Sequence, residues 1–128
     1  MAPVGVQLGV HATVELTVTD GDTARALGSG DVEVLGTPRL VALCEQAACA
    51  AIADQLKPGE TTVGLRVELT HLAPTKVGST VRADATLDRT DGRRLVFTVS
   101  ASDGCGLVAA GKMTRVIVDR ERFLDKAR

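Results

Sequence analysis

An α+β domain, a curved antiparallel β-sheet wrapped around one central α-helix, is the architecture predicted across residues 1–128. Three observations predict it. The stretch 37–56 (TPRLVALCEQAACAAIADQL) is apolar on almost every face of a helix. One segment before it and four after it alternate as strands do. A helix that is apolar nearly all round has to be buried, and a flat sheet covers only one of its sides. A sheet curved by twist and bulges can wrap it.

The first strand is ATVELTVT, residues 12–19, with Ala12, Val14, Leu16 and Val18 on one face and Thr13, Glu15, Thr17 and Thr19 on the other. Residues 20–36 contain Gly21, Gly28, Gly30 and Gly36 and little periodicity. A connection this long in a small domain reads as a lid or binding loop, or as a loosely packed connector. The helix follows. Thr37 is its expected N-cap and Pro38 its first helical residue, where a missing N–H costs nothing. Pro58 and Gly59 end it.

Beyond the helix, residues 61–71 place Val63, Leu65, Val67, Leu69 and His71 on one face, expected to meet the helix. Val81, Ala83, Ala85 and Leu87 form the apolar face of the next strand, and Asp91-Gly92 marks a hairpin turn. Leu95, Phe97, Val99 and Ala101 point inward on the return strand. Asp103-Gly104 begins another turn, Leu107 to Val118 is the last long strand, and Asp119 caps a short terminal helix. Sheet edges in such an arrangement are open to extension by a second subunit, so a homodimer is expected, with pairing into tetramers left open.

Composition narrows the function. The chain is 45% hydrophobic with a net charge of −1, which fits a single folded domain with a real core. Basic and acidic residues are balanced and scattered, and Phe97 and Phe123 are its only aromatics, so nucleic acid is not an expected partner. Cys44, Cys49 and Cys105 are an odd set without a C-x-x-C pair, which points to reduced thiols and a cytoplasmic location. No signal peptide or membrane-length apolar run is present. With only His11 and His71 as histidines, no metal is expected. A cysteine nucleophile is disfavoured because a reactive thiol needs an electropositive setting, and the neighbours of Cys44 and Cys49 are alanine, leucine and glutamate. A serine hydrolase is disfavoured because no G-x-S-x-G elbow occurs.

Two residues break the apolar pattern where chemistry can use them. Glu45 lies mid-helix with Val41, Ala42, Ala48 and Cys49 as its helical neighbours. Its carboxylate either meets a donor or reaches the solvated rim. His71 shares the inward parity of its strand, where a lone histidine is either a core residue or a functional one. A glutamate and a histidine on one pocket can divide general acid and base work. Thr37, at the helix start, adds a hydroxyl beside free N–H groups suited to a developing oxyanion. Val34 and Leu35, just before the helix, are candidates to line a pocket.

In spacing as well as type these residues resemble the fluoroacetyl-CoA thioesterase family of hotdog-fold enzymes. The family's catalytic threonine, helix glutamate and strand histidine fall on Thr37, Glu45 and His71, separated by 8 and 26 residues. The segment LKPGETTVGLRVELTHLAPTKVGSTV is similar to its P-G-E…G…T-H…P-G-x-x-V region, and Gly64 falls on its active-site glycine. DGRRLVFTVSASDG resembles its G-R-R-L hairpin, and Arg115 aligns with an arginine beside the acyl pocket. The resemblance implies hydrolysis of a small or medium acyl-CoA by a dimer with sites near the subunit interface, coenzyme A being part of the substrate and no cofactor being needed. It gives Thr37 a role in orienting the glutamate or binding the thioester. Glu45 would be nucleophile or general base, and His71 would polarise the acyl group or move a proton. The family's phenylalanine lid is missing, because SGDVEVLG before the helix has no aromatic residue. Two other readings remain at this point: a noncatalytic acyl-CoA or acyl-carrier binding module, and a dehydratase or isomerase acting on a carrier-bound thioester.

Overall fold

The computed structural model describes residues 6–128. Five strands make one antiparallel sheet: β1 (His11–Thr17), β2 (Glu60–His71), β3 (Thr80–Asp91), β4 (Arg94–Asp103) and β5 (Gly106–Asp119), in the spatial order β1-β3-β4-β5-β2. Among the described residues three α-helices accompany them: α1 (Ala24–Leu27), the long α2 (Thr37–Ile52), and α3 (Arg120–Asp125). The curved sheet around one long helix is the predicted hotdog architecture.

The core forms where strand and helix periodicities meet. Leu40, Leu43, Cys44, Ala47, Ala48 and Ile52 of α2 are buried against Val81, Ala83, Ala85 and Leu87 of β3 and Leu95, Phe97, Val99 and Ala101 of β4. Every one of those eight strand residues has the predicted parity. The alanines let the helix lie close to the sheet, and Phe97 supplies the largest buried side chain. Asp119 caps α3 as expected, its side chain accepting from the Arg122 N–H at 3.0 Å. Gly92 takes φ +59° in the β3–β4 turn, a left-handed conformation that glycine adopts without steric cost. No helix among the described residues is long and apolar enough to cross a membrane.

Three expectations are corrected. The α-helical part of α2 stops at Ile52 and tightens into a 3₁₀ turn over Ala53–Gln55 before Pro58. Thr37 is the first helical residue, and Gly36, with φ −76° and ψ 142°, is the N-cap. Strand β2 does not keep one parity either. Gly64 pairs with Arg115 and Arg66 with Thr114, so Leu65 is an extra, bulged residue. The bulge shifts the pleat by one: Val67, Leu69 and His71 keep the predicted face, but before the bulge it is Thr62 and Gly64, not Val63, that join it. Leu65 is 53% exposed.

The segment 20–36 is built rather than loose. A 3₁₀ turn over Asp20–Asp22 leads into α1, and bridges join Thr23 to Leu35 and Val34 to Lys76. The Ala24 N–H donates to the Val34 carbonyl at 2.9 Å, the Leu35 N–H to Thr75 at 2.8 Å, and the Gly36 N–H to Asp22 at 2.9 Å. The Asp22 carboxylate then accepts from Arg39 Nε at 3.1 Å, tying the segment to the first turn of α2.

Candidate active site

Two polar clusters flank the helix. At its N-terminus, Thr37 Oγ1 and His71 Nδ1 are hydrogen-bonded at 2.7 Å. The corrected cap explains why this is possible. With Gly36 as N-cap, the Thr37 hydroxyl has no capping duty and turns to the ring on β2. The other ring nitrogen, His71 Nε2, is buried and has no hydrogen-bond partner among the described residues, which leaves it a polar atom in need of one.

Two turns further along α2, Glu45 meets β5 and β2. Arg115 Nη1 donates to Glu45 Oε2 at 3.0 Å. The same guanidinium is fixed by Thr62, Nε donating to the hydroxyl and Nη2 to the carbonyl, each at 3.0 Å. Arg115 is 8% exposed, whereas the Glu45 side chain is 34% exposed. The carboxylate therefore stands at a rim with one oxygen held, which reconciles both sequence readings of it: a donor meets it, and it stays open to a ligand. Gly64 lies directly beneath, where a β-carbon would come within 2.9 Å of Glu45 Oε2. Only glycine leaves that approach open.

The structure brings Thr37 to His71, and Glu45 to Gly64 and Arg115, but no hydrogen bond joins the two clusters within the chain. Thr37 and Glu45 are eight residues apart on the helix, about 12 Å along its axis at ~1.5 Å per residue. Gly64 and His71 are seven strand residues apart, up to roughly 23 Å of extended chain. Val34 borders the His71 ring together with Leu72, Ala73 and Pro74 in a recess of about 190 Å³. Leu35 is 1% exposed and belongs to the core. Thr62 was not singled out from the sequence, where it is half of an unremarked Thr-Thr pair. Arg115 did carry a signal of its own, since it shares the apolar parity of Met113 and Ile117.

Cys44 stands apart from this chemistry. Burial pushes the Cys44 thiol up to about 11, the neighbouring Glu45 charge adding to the shift. A thiol so hard to ionise is a packing group. Among the described residues no three His, Cys, Asp or Glu side chains group as metal ligands.

Comparison with known proteins shows the family. The family model described as fluoroacetyl-CoA-specific thioesterase (FlK) matches residues 18–121. The chain is 35% identical over 130 residues to the fluoroacetyl-CoA thioesterase of Streptantibioticus cattleyicolor, covering 97% of this chain and 94% of that protein. A crystal structure of a point variant of FlK with fluoroacetate and CoA superimposes with a TM-score of 0.87 at 34% identity, covering 92% of this chain and 99% of that one. A thioesterase superfamily member from Thermus thermophilus, 31% identical, gives a TM-score of 0.87, covering 98% of this chain and 91% of its own.

Proposed function

Because the chain belongs to the family of fluoroacetyl-CoA-specific thioesterases, we propose that it is an acyl-CoA thioesterase whose site is shared between two copies of the chain. The observation that carries the reading is the Glu45 carboxylate, held by Arg115 at a partly exposed rim over Gly64, whose missing β-carbon lets it lie close to the strand. Glu45 supplies the negative charge that reaches the thioester carbonyl, directly as a nucleophile or through a water that it deprotonates. Thr37 and His71 act as a hydrogen-bonded pair: the hydroxyl fixes the ring, and Nε2 bonds the acyl end or passes a proton to the leaving thiolate.

The dimer supplies what one chain lacks. Among the described residues strand β2 pairs only with β5, leaving its outer edge unpaired there, and Leu65 and Val67 are 53% and 43% exposed. An antiparallel pairing of two β2 strands about a twofold axis near Val67 and Glu68 sets Thr62 and Gly64 of one copy beside His71 of its mate. Glu45 stands over Gly64, so each site then combines Glu45, Gly64 and Arg115 of one chain with Thr37 and His71 of the other.

Thiol release from a panel of acyl-CoA esters, with wild type and Glu45→Gln side by side, tests the chemistry. Release that depends on Glu45 is expected, and equal release by the variant overturns its role. A noncatalytic binding module would instead bind the ester and leave it intact. Mixing Glu45→Ala with His71→Ala chains tests the sharing. Each is inactive alone, and statistical heterodimers regain about a quarter of the wild-type rate if the sites are shared between chains. No recovery despite subunit exchange places both residues in one chain.

A further inference from the structure

Arg115 offers its nitrogens in two directions. Nε and Nη2 lie along one edge of the planar guanidinium, and both donate to a single residue, Thr62: Nε to the hydroxyl and Nη2 to the carbonyl, each at 3.0 Å. Nη1, at the other end of the fork, donates to Glu45 Oε2 at 3.0 Å. Two contacts along one edge fix the plane of the guanidinium, so Nη1 points in one direction only. A single contact would leave a pivot.

The backbone of β2 makes this clamp possible. Arg115 pairs across the strands with Gly64, which has no side chain, and Thr62 pairs with Ile117. Thr62 is thus the diagonal neighbour of Arg115, within reach of a long side chain. It shares the inner face because Leu65 is bulged out of the pairing. With an unbroken pleat counted from His71, Val63 would take that face and offer no side-chain acceptor. Arg115 is 8% exposed, so the Thr62 hydroxyl also satisfies an Nε–H that a hydrocarbon in its place would leave unpaired.

Resting on the thioesterase reading above, we propose that Thr62 is a positioning residue of the reaction: its hydroxyl fixes the plane of the Arg115 guanidinium, and through it the direction of the Glu45 carboxylate. Thr62 acts on the step that Glu45 performs and not on the binding of the ester. Its loss therefore falls on kcat and spares KM.

The test compares Thr62→Val, which keeps the shape and loses the hydroxyl, with Thr62→Ser, which keeps the hydroxyl. Thr61→Val makes the same deletion one residue away, on the opposite face of the strand. Thr62→Ala removes the same hydroxyl should the valine variant fail to fold. Thiol release from acetyl-, butyryl- and hexanoyl-CoA gives kcat and KM, circular dichroism controls for folding, and the NMR resonance of the Arg115 Nε–H reports the clamp itself. In Thr62→Val, kcat should fall on the order of 10-fold, less than the roughly 10²-fold cost of a full misplacement because the carbonyl contact remains. KM should stay near that of wild type, and the Nε–H should exchange rapidly with water. Thr62→Ser should recover both kcat and the slow exchange, and Thr61→Val should match wild type. A folded Thr62→Val with wild-type kcat overturns the proposal. So does a loss of kcat that serine fails to recover or that Thr61→Val shares, since strand packing would then be its cause. A wild type that releases thiol from no ester overturns the thioesterase reading and the proposal with it, a result that the other outcomes cannot mimic.

Discussion

Arg115 and Glu45 meet at 3.0 Å across the inner face of the sheet, with the guanidinium buried and the carboxylate a third exposed. The asymmetry assigns the labour. Thr62 holds Arg115 through two further hydrogen bonds, so the arginine is a fixed part of the wall, and in the proposed mechanism Glu45 is the group it aims. Arg115→Lys keeps a charge but loses the planar fork that reaches three acceptors at once. The expected result is a kcat lower by about 10- to 100-fold, in line with a misaimed catalytic group. The stability loss should be only about 1–2 kcal/mol, because solvent screens the exposed partner. Urea unfolding alongside steady-state kinetics separates the two effects, and a kcat equal to wild type would remove the aiming role.

Gly64→Ala probes the same contact from below. The added methyl would come 2.9 Å from Glu45 Oε2, the far end of a side chain, and 3.5 Å from Arg115 Nη1. Since the carboxylate can swing away, the fold should survive with a change in Tm of a few degrees at most, about 1 kcal/mol for a domain of this size. Activity should not survive so well. A displacement near 1 Å at a reacting group costs about 10²-fold, and a kcat/KM within twofold of wild type would show that nothing approaches the carboxylate over Gly64.

Gly111, unlike Gly64, carries no signal in the sequence, and it should behave in the opposite way. A β-carbon there would lie 1.9 Å from the Glu68 carbonyl oxygen, which is backbone of the paired strand and has nowhere to go. Gly111→Ala is expected to lose on the order of 3 kcal/mol or more, or to leave the protein insoluble, by prising β2 from β5. Thermal unfolding of the purified variant checks this, and a Tm near that of wild type would mean that β2 and β5 are not paired in this register.

The contrast between these two glycines shows where sequence reading stopped. Strands β3 and β4 were legible because their alternation is unbroken from Val81 to Leu87 and from Leu95 to Ala101, so parity alone assigned the core. Strand β2 was legible only as a strand. Its bulge at Leu65 depends on the pairing with β5, which no local pattern records, and parity counted back from His71 put Val63 inward where Thr62 and Gly64 belong. The helix was clear from its composition. Its cap was not, because glycine and threonine both serve there and the sequence alone does not choose between Gly36 and Thr37. Thr37, Glu45 and His71 could be named from type and spacing. That they form two clusters in one chain follows only from the register of β2 against the helix.

Acid should loosen the segment that carries Val34 through Asp22. Its carboxyl is held below the ordinary value of 3.8, first by the Thr19 backbone N–H, then by the Thr19 hydroxyl and the Arg39 guanidinium, against an opposing push from burial. A carboxyl whose folded-state pKa is depressed contributes stability above the unfolded-state value and loses it as pH falls through the folded-state value. Glu60 is depressed in the same direction by the Lys57 N–H and by Arg93, so both carboxyls add to an acid-side loss of stability. Asp22→Asn removes the charge that Arg39 meets and should flatten part of the acid limb of a Tm-versus-pH curve, lowering Tm near neutrality while leaving the most acidic values nearly unchanged. Amide hydrogen exchange would place the change: Leu35 and Gly36, whose N–H groups donate to Thr75 and Asp22, should lose protection before the strands of the core. A variant curve parallel to that of wild type over the whole acid range would mean that the Asp22 charge does not anchor the segment.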